Sequence, residues 1–135
     1  MNITSAVLVA EARARISNVS PEDAQRAMED GTSIMLDLRE KEELDSSGTF
    51  PGAIHIPRGM LEFAVDPGHP SFVADVTPDK SVILACASGA RSALATETLQ
   101  QLGFNDVSNL AGGFKAWVEQ GLPINGPSGK QAGGE

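Results

Sequence analysis

With 135 residues, 41% of them hydrophobic and 21% charged, the chain has the size and composition of one globular domain with a single core. Its eighteen acidic and ten basic side chains leave a net charge of −8, which argues against nucleic acid or an anionic membrane surface as a partner. One cysteine excludes an internal disulfide and a zinc site built on several thiolates, and no apolar run approaches the ~20 residues that a bilayer requires.

The opening, MNITSAVLVAEARARI, has no basic segment ahead of its short apolar patch, so no secretory signal is expected and the cytoplasm is the expected location. Within it, Ile3, Val7, Ala10 and Ala14 recur at intervals of three or four, which predicts an N-terminal helix in residues 1–15. A short extended piece near Ile16 opens the main domain, residues 16–124. Ser20, Pro21, Glu22 and Asp23 then read as a helix start, with a capping hydroxyl, proline in the first turn and acids near the positive end; Gly31 stops it. Ser33 to Leu38 is a buried strand by its apolar run, and Arg39 to Asp45 a short charged helix. Ala53 to Ile56 is a second strand, closed by Pro57, and residues 59–65 have room for one or two helical turns. Residues 66–80, with Pro67, Pro70 and Pro78, read as a surface connection. Val82 to Ala85 is a buried strand, Ser92 to Leu102 a helix ended by Gly103, and Asp106 to Leu110 the last strand. Gly112 opens a final helix, Gly113 to Glu119, with Phe114, Trp117 and Val118 on its buried stripe. The remainder, residues 125–135, is expected to be a disordered tail.

Short aliphatic strands alternating with helices predict an α/β domain, a parallel sheet with helices on both faces. Sites in such sheets form beyond the carboxyl ends of the strands. Cys86 stands at one of those ends. Six residues, Cys86 to Arg91, separate the strand from the following helix, and none has the bulk to stop the backbone from curling. Successive amides in such a turn form a nest for an anion, the first turn of the helix adds its own free N–H groups, and Gly89 supplies the freedom for tight curvature. A thiol placed there ionises more easily than a free one, and a thiolate attacks a soft electrophile without a histidine base. The plainer reading is a small core cysteine at a strand end.

The segments DLREKEEL (37–44), PGAIHIP (51–57), CASGARS (86–92) and LAGGFKAWVEQGLPI (110–124) together resemble the rhodanese family of sulfurtransferases over residues 16–124. The resemblance implies a central parallel five-stranded sheet. It also implies that Cys86 takes a sulfane sulfur from a small anionic donor, thiosulfate or polysulfide, as a persulfide, and passes it to cyanide, a thiol or a protein acceptor. No cofactor or metal is implied. Under this reading the main-chain amides of Ala87, Ser88, Gly89, Ala90, Arg91 and Ser92 cradle the sulfur, and Arg91 faces the anionic donor. Arg39 and Arg58, which also follow strand ends, are candidates for a cationic rim, with Asp37 and Arg39 as a structural pair the competing role. Ser88 is a candidate donor to bound sulfur. Asp37, Glu42 and Glu43 are expected in salt bridges, and His55 and His69 as structural or surface residues.

Where the family commonly reads Gly-His-Ile-Pro-Gly-Ala, this chain has Gly48-Thr49-Phe50-Pro51-Gly52-Ala53, so Thr49 stands in the histidine's place, which the thiolate chemistry tolerates. Two other readings stay open from sequence. One is a non-catalytic sulfur-carrier or binding module; the other is a cysteine-dependent phosphatase, against which stands the spacing of four residues between Cys86 and Arg91, since the phosphatase pattern has five. The oligomeric state is open.

Overall fold

The computed structural model describes residues 2–127. Along the chain they form α1 (Ser5–Arg15), β1 (Ser17–Val19), α2 (Pro21–Glu29), β2 (Ile34–Asp37), α3 (Lys41–Ser47), β3 (Ile54–His55), a 3-10 turn (Arg58–Met60), α4 (Leu61–Ala64), β4 (Val82–Ala85), α5 (Ala90–Gln101), β5 (Val107–Leu110) and α6 (Gly113–Glu119). The strands make one five-stranded sheet in the order β1-β5-β4-β2-β3, every neighbouring pair parallel. This is the α/β architecture that the alternating pattern predicts, and β4 is its central strand. No helix among the described residues is long and apolar enough to cross a membrane.

The two faces of the sheet follow from the two-residue period of a strand. On β4, Val82 and Leu84 point to one side, where they pack with Leu61 of α4 and with Ala95 and Leu99 of α5. Ile83 and Ala85 point to the other, joining Ala24 of α2 and Phe114 and Trp117 of α6. Both sides are apolar because helices cover both. The expected helix starts hold locally: the Ser20 hydroxyl accepts from the Asp23 amide at 3.1 Å, with Pro21 in the first turn. The helix at residues 5–15, whose partner the sequence leaves open, lies against α5, where Ala12 is buried and Arg15 pairs with Glu97 at 3.0 Å.

Three expectations change. Val118 faces solvent at 45% exposure, because Phe114 and Trp117 already fill the inner stripe of a helix only seven residues long. The connection 66–80 lies on the surface yet lends Val76 to the core, fully buried. The tail starts later than residue 125: Asn125 and Thr49 exchange backbone hydrogen bonds of 2.8 and 2.9 Å, and Ile124 packs on the core beneath. The rest of the expected tail, residues 128–135, lies outside the described residues.

Candidate active site

Between β4 and α5 the chain turns in four residues, Cys86 to Gly89. Gly89 takes φ +93°, a left-handed conformation that a side chain would strain, and a Cβ there would stand 3.3 Å from the Leu110 carbonyl oxygen. Helix α5 starts at Ala90, two residues earlier than expected. Ala90 and Arg91 therefore belong to its first turn, and Ser92 is close enough to reach back over the loop.

A second support comes from α6. The Phe114 amide donates to the Cys86 carbonyl at 2.8 Å and the Lys115 amide to the Ala87 carbonyl at 3.0 Å. So close a seat leaves no space for a side chain at Gly113, where a Cβ would lie 2.5 Å from the Cys86 oxygen and where φ is +62°. The paired glycines at 112–113 thus serve the nucleophile loop as much as the helix they open.

The Cys86 sulfur accepts hydrogen bonds from the Gly89 amide at 3.2 Å and the Ser92 amide at 3.4 Å, with the Ser92 hydroxyl 3.3 Å away. Burial, the largest single influence, pushes the thiol pKa up. The Ser92 hydroxyl and the amides of Ser92, Gly89 and Ser88 push it down and prevail, so the thiol ionises more readily than an ordinary cysteine. Of the expected cradle, Ser88, Gly89 and Ser92 thus face the sulfur, Ser88 by its backbone rather than its hydroxyl. Cys86 itself is 1% exposed. The sulfur is enclosed among its own donors. Beyond it, the Ser92 hydroxyl lies 2.6 Å from Asn109 Oδ1.

The three candidate arginines separate. Arg39 is 1% exposed, so its guanidinium borders the site from within the protein and presents almost no surface to an incoming anion. Its guanidinium meets both Asp37 oxygens, at 3.0 and 2.8 Å, and the Gly48 carbonyl at 3.0 Å, and lies 4.1 Å from the centre of the Phe114 ring. Those contacts make it a strut tying β2 to the loop after α3. Arg58 leaves β3 as expected, but its guanidinium turns to Glu62 at 3.0 Å and Thr98 at 3.5 Å. Thr98 is eight residues into α5, about 12 Å along the helix from its start, so Arg58 points away from the loop. Arg91 alone is both at the site and exposed. It makes a two-pronged pair with Glu43, both contacts 2.8 Å, and its charge also reaches the Cys86 sulfur. Glu43 is held down to about 2, first by Arg91 and further by the Glu40 amide, while burial opposes them.

Other expectations fall as follows. His55 is structural, its Nε2 2.7 Å from the Arg39 carbonyl, and His69 Nδ1 accepts from the Ser71 amide at 3.0 Å. Thr49, in the place of the family's histidine, pairs its backbone with Asn125, and the next residue, Phe50, stacks edge-on against Phe114 and Trp117, with ring centres 5.0 and 5.1 Å away. Beside the loop lies a cavity of about 440 Å³ whose apolar wall is Ala87, Phe114, Val118 and Ile124, and whose charged lining is Arg39, Glu43, Lys115 and Glu119. Glu43 makes the salt bridge expected of it, here with Arg91; Asn109 and Gly113 are the site residues that the sequence does not single out. For Gly113 a signal existed, two adjacent glycines one residue beyond a strand; for Asn109 none did.

The family model for the rhodanese-like domain matches residues 20–120. A sulfurtransferase of Allochromatium vinosum is 31% identical over 115 residues, 84% of this chain and 99% of that protein. Among solved structures, a protein of unknown function from Rhodopseudomonas palustris, a possible tyrosine phosphatase, is 34% identical with a TM-score of 0.84, covering 92% of this chain and 96% of its own. A polysulfide-sulfur transferase homodimer from Wolinella succinogenes is 33% identical with a TM-score of 0.72, covering 87% and 83%.

Proposed function

This chain belongs to the rhodanese-like domain family, and we propose that it is a sulfurtransferase that carries a sulfane sulfur on Cys86 from thiosulfate or a polysulfide to a thiol acceptor or cyanide. The observation that carries the reading is the enclosure of one sulfur by the amides of Gly89 and Ser92 and the Ser92 hydroxyl. These donors favour the thiolate at a place where burial alone would oppose it.

In the first half of the cycle the Cys86 thiolate attacks the outer sulfur of the donor. A new S–S bond forms, the donor's S–S bond breaks, and its electron pair leaves with sulfite, or with the shortened polysulfide. The negative charge then sits on the outer sulfur of the persulfide, where first-turn amides of α5 that lack intrahelical partners can meet it. In the second half the acceptor attacks that outer sulfur and Cys86 departs as a thiolate, returned to its donors. Arg91 orients an anionic donor, for which it must share or leave Glu43. The apolar wall beside Ala87 suits the carbon skeleton of an organic thiol, which makes a thiol a better fit than cyanide as the acceptor in the cell.

A phosphatase reading has one observation in its favour, the similarity to the Rhodopseudomonas palustris protein. Against it stand the four-residue spacing from Cys86 to Arg91 and the engagement of that arginine by Glu43. The deciding assay follows thiocyanate formed from thiosulfate and cyanide by purified protein, with aryl phosphate hydrolysis measured alongside. Sulfur transfer that Cys86→Ser abolishes is expected. Phosphate release instead, or no turnover of either kind, would replace the enzyme with a phosphatase or with a sulfur-carrying module.

A further inference from the structure

The Ser92 hydroxyl faces two acceptors and has one proton. Its oxygen is 3.3 Å from the Cys86 sulfur and 2.6 Å from Asn109 Oδ1, with Ser92 fully buried and Asn109 1% exposed. A hydroxyl donates once, so it serves the sulfur or the amide, never both.

The orientation of Asn109 is fixed by what lies behind it. Its Nδ2 donates to the Gly89 carbonyl at 3.3 Å and to Asn18 Oδ1 at 3.2 Å, and Asn18 Nδ2 in turn donates to the Arg13 carbonyl at 3.2 Å. Turning the amide over would set its oxygen against two other oxygens. Oδ1 therefore always faces Ser92, and the chain of hydrogen bonds runs from the end of α1 through β1 and β5 to the nucleophile. While Cys86 is a neutral thiol, the shorter contact takes the proton and the S–H can donate to the Ser92 oxygen. Once the sulfur ionises, a thiolate is the stronger acceptor and the hydroxyl can swing to it.

We infer that Asn109 is a positioning residue that holds the Ser92 proton away from Cys86 while the sulfur is neutral and yields it when the sulfur carries charge. The inference rests on the sulfur-transfer reading for its purpose. In the persulfide the inner sulfur is neutral and the hydroxyl returns to Asn109; when the acceptor expels Cys86 as a thiolate, the hydroxyl swings back to meet the new charge. Its cost is that Asn109 competes with the thiolate for the same proton. The charged groups around the sulfur remain constant across the variants below: Arg91 of α5 with its partner Glu43 of α3, Arg13 of α1 near Gly89, Lys115 of α6, and the Asp37–Arg39 pair beyond β2.

Two measurements without any sulfur substrate test this, so failure of sulfur transfer and failure of the relay are separable. The chain has one cysteine and no tyrosine, so a rise in thiolate ultraviolet absorbance with pH belongs to Cys86 alone. Ser92→Ala should raise the midpoint by about one pH unit, the size of one hydrogen bond to a charge. Asn109→Ala should lower it, by about half a pH unit, because the competitor is gone. In the Ser92→Ala background the same Asn109→Ala change should do nothing. A midpoint that rises or stays still in Asn109→Ala, as a loosened cradle would give, overturns the inference, and so does a fall that persists without Ser92. Should Asn109→Ala fail to fold, the infrared S–H stretch of the unaltered protein at low pH decides. A band lowered by hydrogen bonding that moves to the free-thiol position in Ser92→Ala supports the relay; a free-thiol band in the unaltered protein overturns it.

Discussion

Arg39 and Arg91 both lie beyond the carboxyl ends of neighbouring strands, and each grips a carboxylate by both its oxygens. Their surroundings make them opposites. Arg39 is 1% exposed, with Asp37, the Gly48 carbonyl and the Phe114 ring occupying its guanidinium on every side the contacts describe. The Arg91 side chain is 39% exposed and its partner Glu43 32%. The first pair cannot be opened without leaving a buried charge; the second can, because water or an anion takes the place of the lost partner. Position at a strand end is thus a poor guide to function, and the number of internal acceptors is a better one.

The sharpest way to break that contrast is Arg39→Ala. It should cost about 3–5 kcal/mol of unfolding free energy in urea, because Asp37 would stay buried without its partner. Normal stability with a raised KM for thiosulfate would put Arg39 back on the rim. Next in size is Gly113→Ala, since the loop that Arg91 borders rests on α6 and not on either ion pair. The added Cβ, due 2.5 Å from the Cys86 oxygen, should lower kcat/KM by about tenfold or more, in line with the cost of a small misplacement of reacting groups. Unchanged kinetics would show that the seat is dispensable. Arg91→Ala should then raise KM for thiosulfate about tenfold, the worth of one charge-assisted contact, while stability moves by less than about 1 kcal/mol. A stability loss as large as that of Arg39→Ala would erase the distinction.

Glu43→Gln should act the other way, lowering KM for an anionic donor about threefold by freeing Arg91 from an exposed pair. A raised KM would mean that Glu43 holds the arginine in the binding pose. The smallest effect is on stability against pH. Because Glu43 is held down to about 2 in the fold, its pair contributes above the ordinary carboxylate range of about 4.3 and is lost as pH falls toward about 2. Urea unfolding between pH 7 and pH 3 should therefore weaken more steeply in the unaltered protein than in Glu43→Gln. Equal slopes would leave the pair without energetic weight.

How much of this was legible beforehand depended on range. The strands, the both-face burial of β4 and the start of α2 depend on local patterns, apolar runs and a capping serine, and these were readable. The loop was readable as a curl after a strand, but its length was not: α5 begins at Ala90 because Gly89 adopts a left-handed turn and ends the curl early. The sequence left Arg39 between a rim and a structural pair with Asp37, because its burial is completed by the Gly48 carbonyl and by Phe114, which is far along the chain. Asn109 carried no signal at all, since its work depends on Ser92 and Asn18 arriving beside it from α5 and β1.

The measurement closest to the central claim is the intact mass of the protein before and after exposure to thiosulfate, with no reductant and no acceptor. A gain of one sulfur atom, absent in Cys86→Ser and removed by a low-molecular-weight thiol, is the expected result. An unchanged mass, while sulfite is neither formed nor required, would contradict the account.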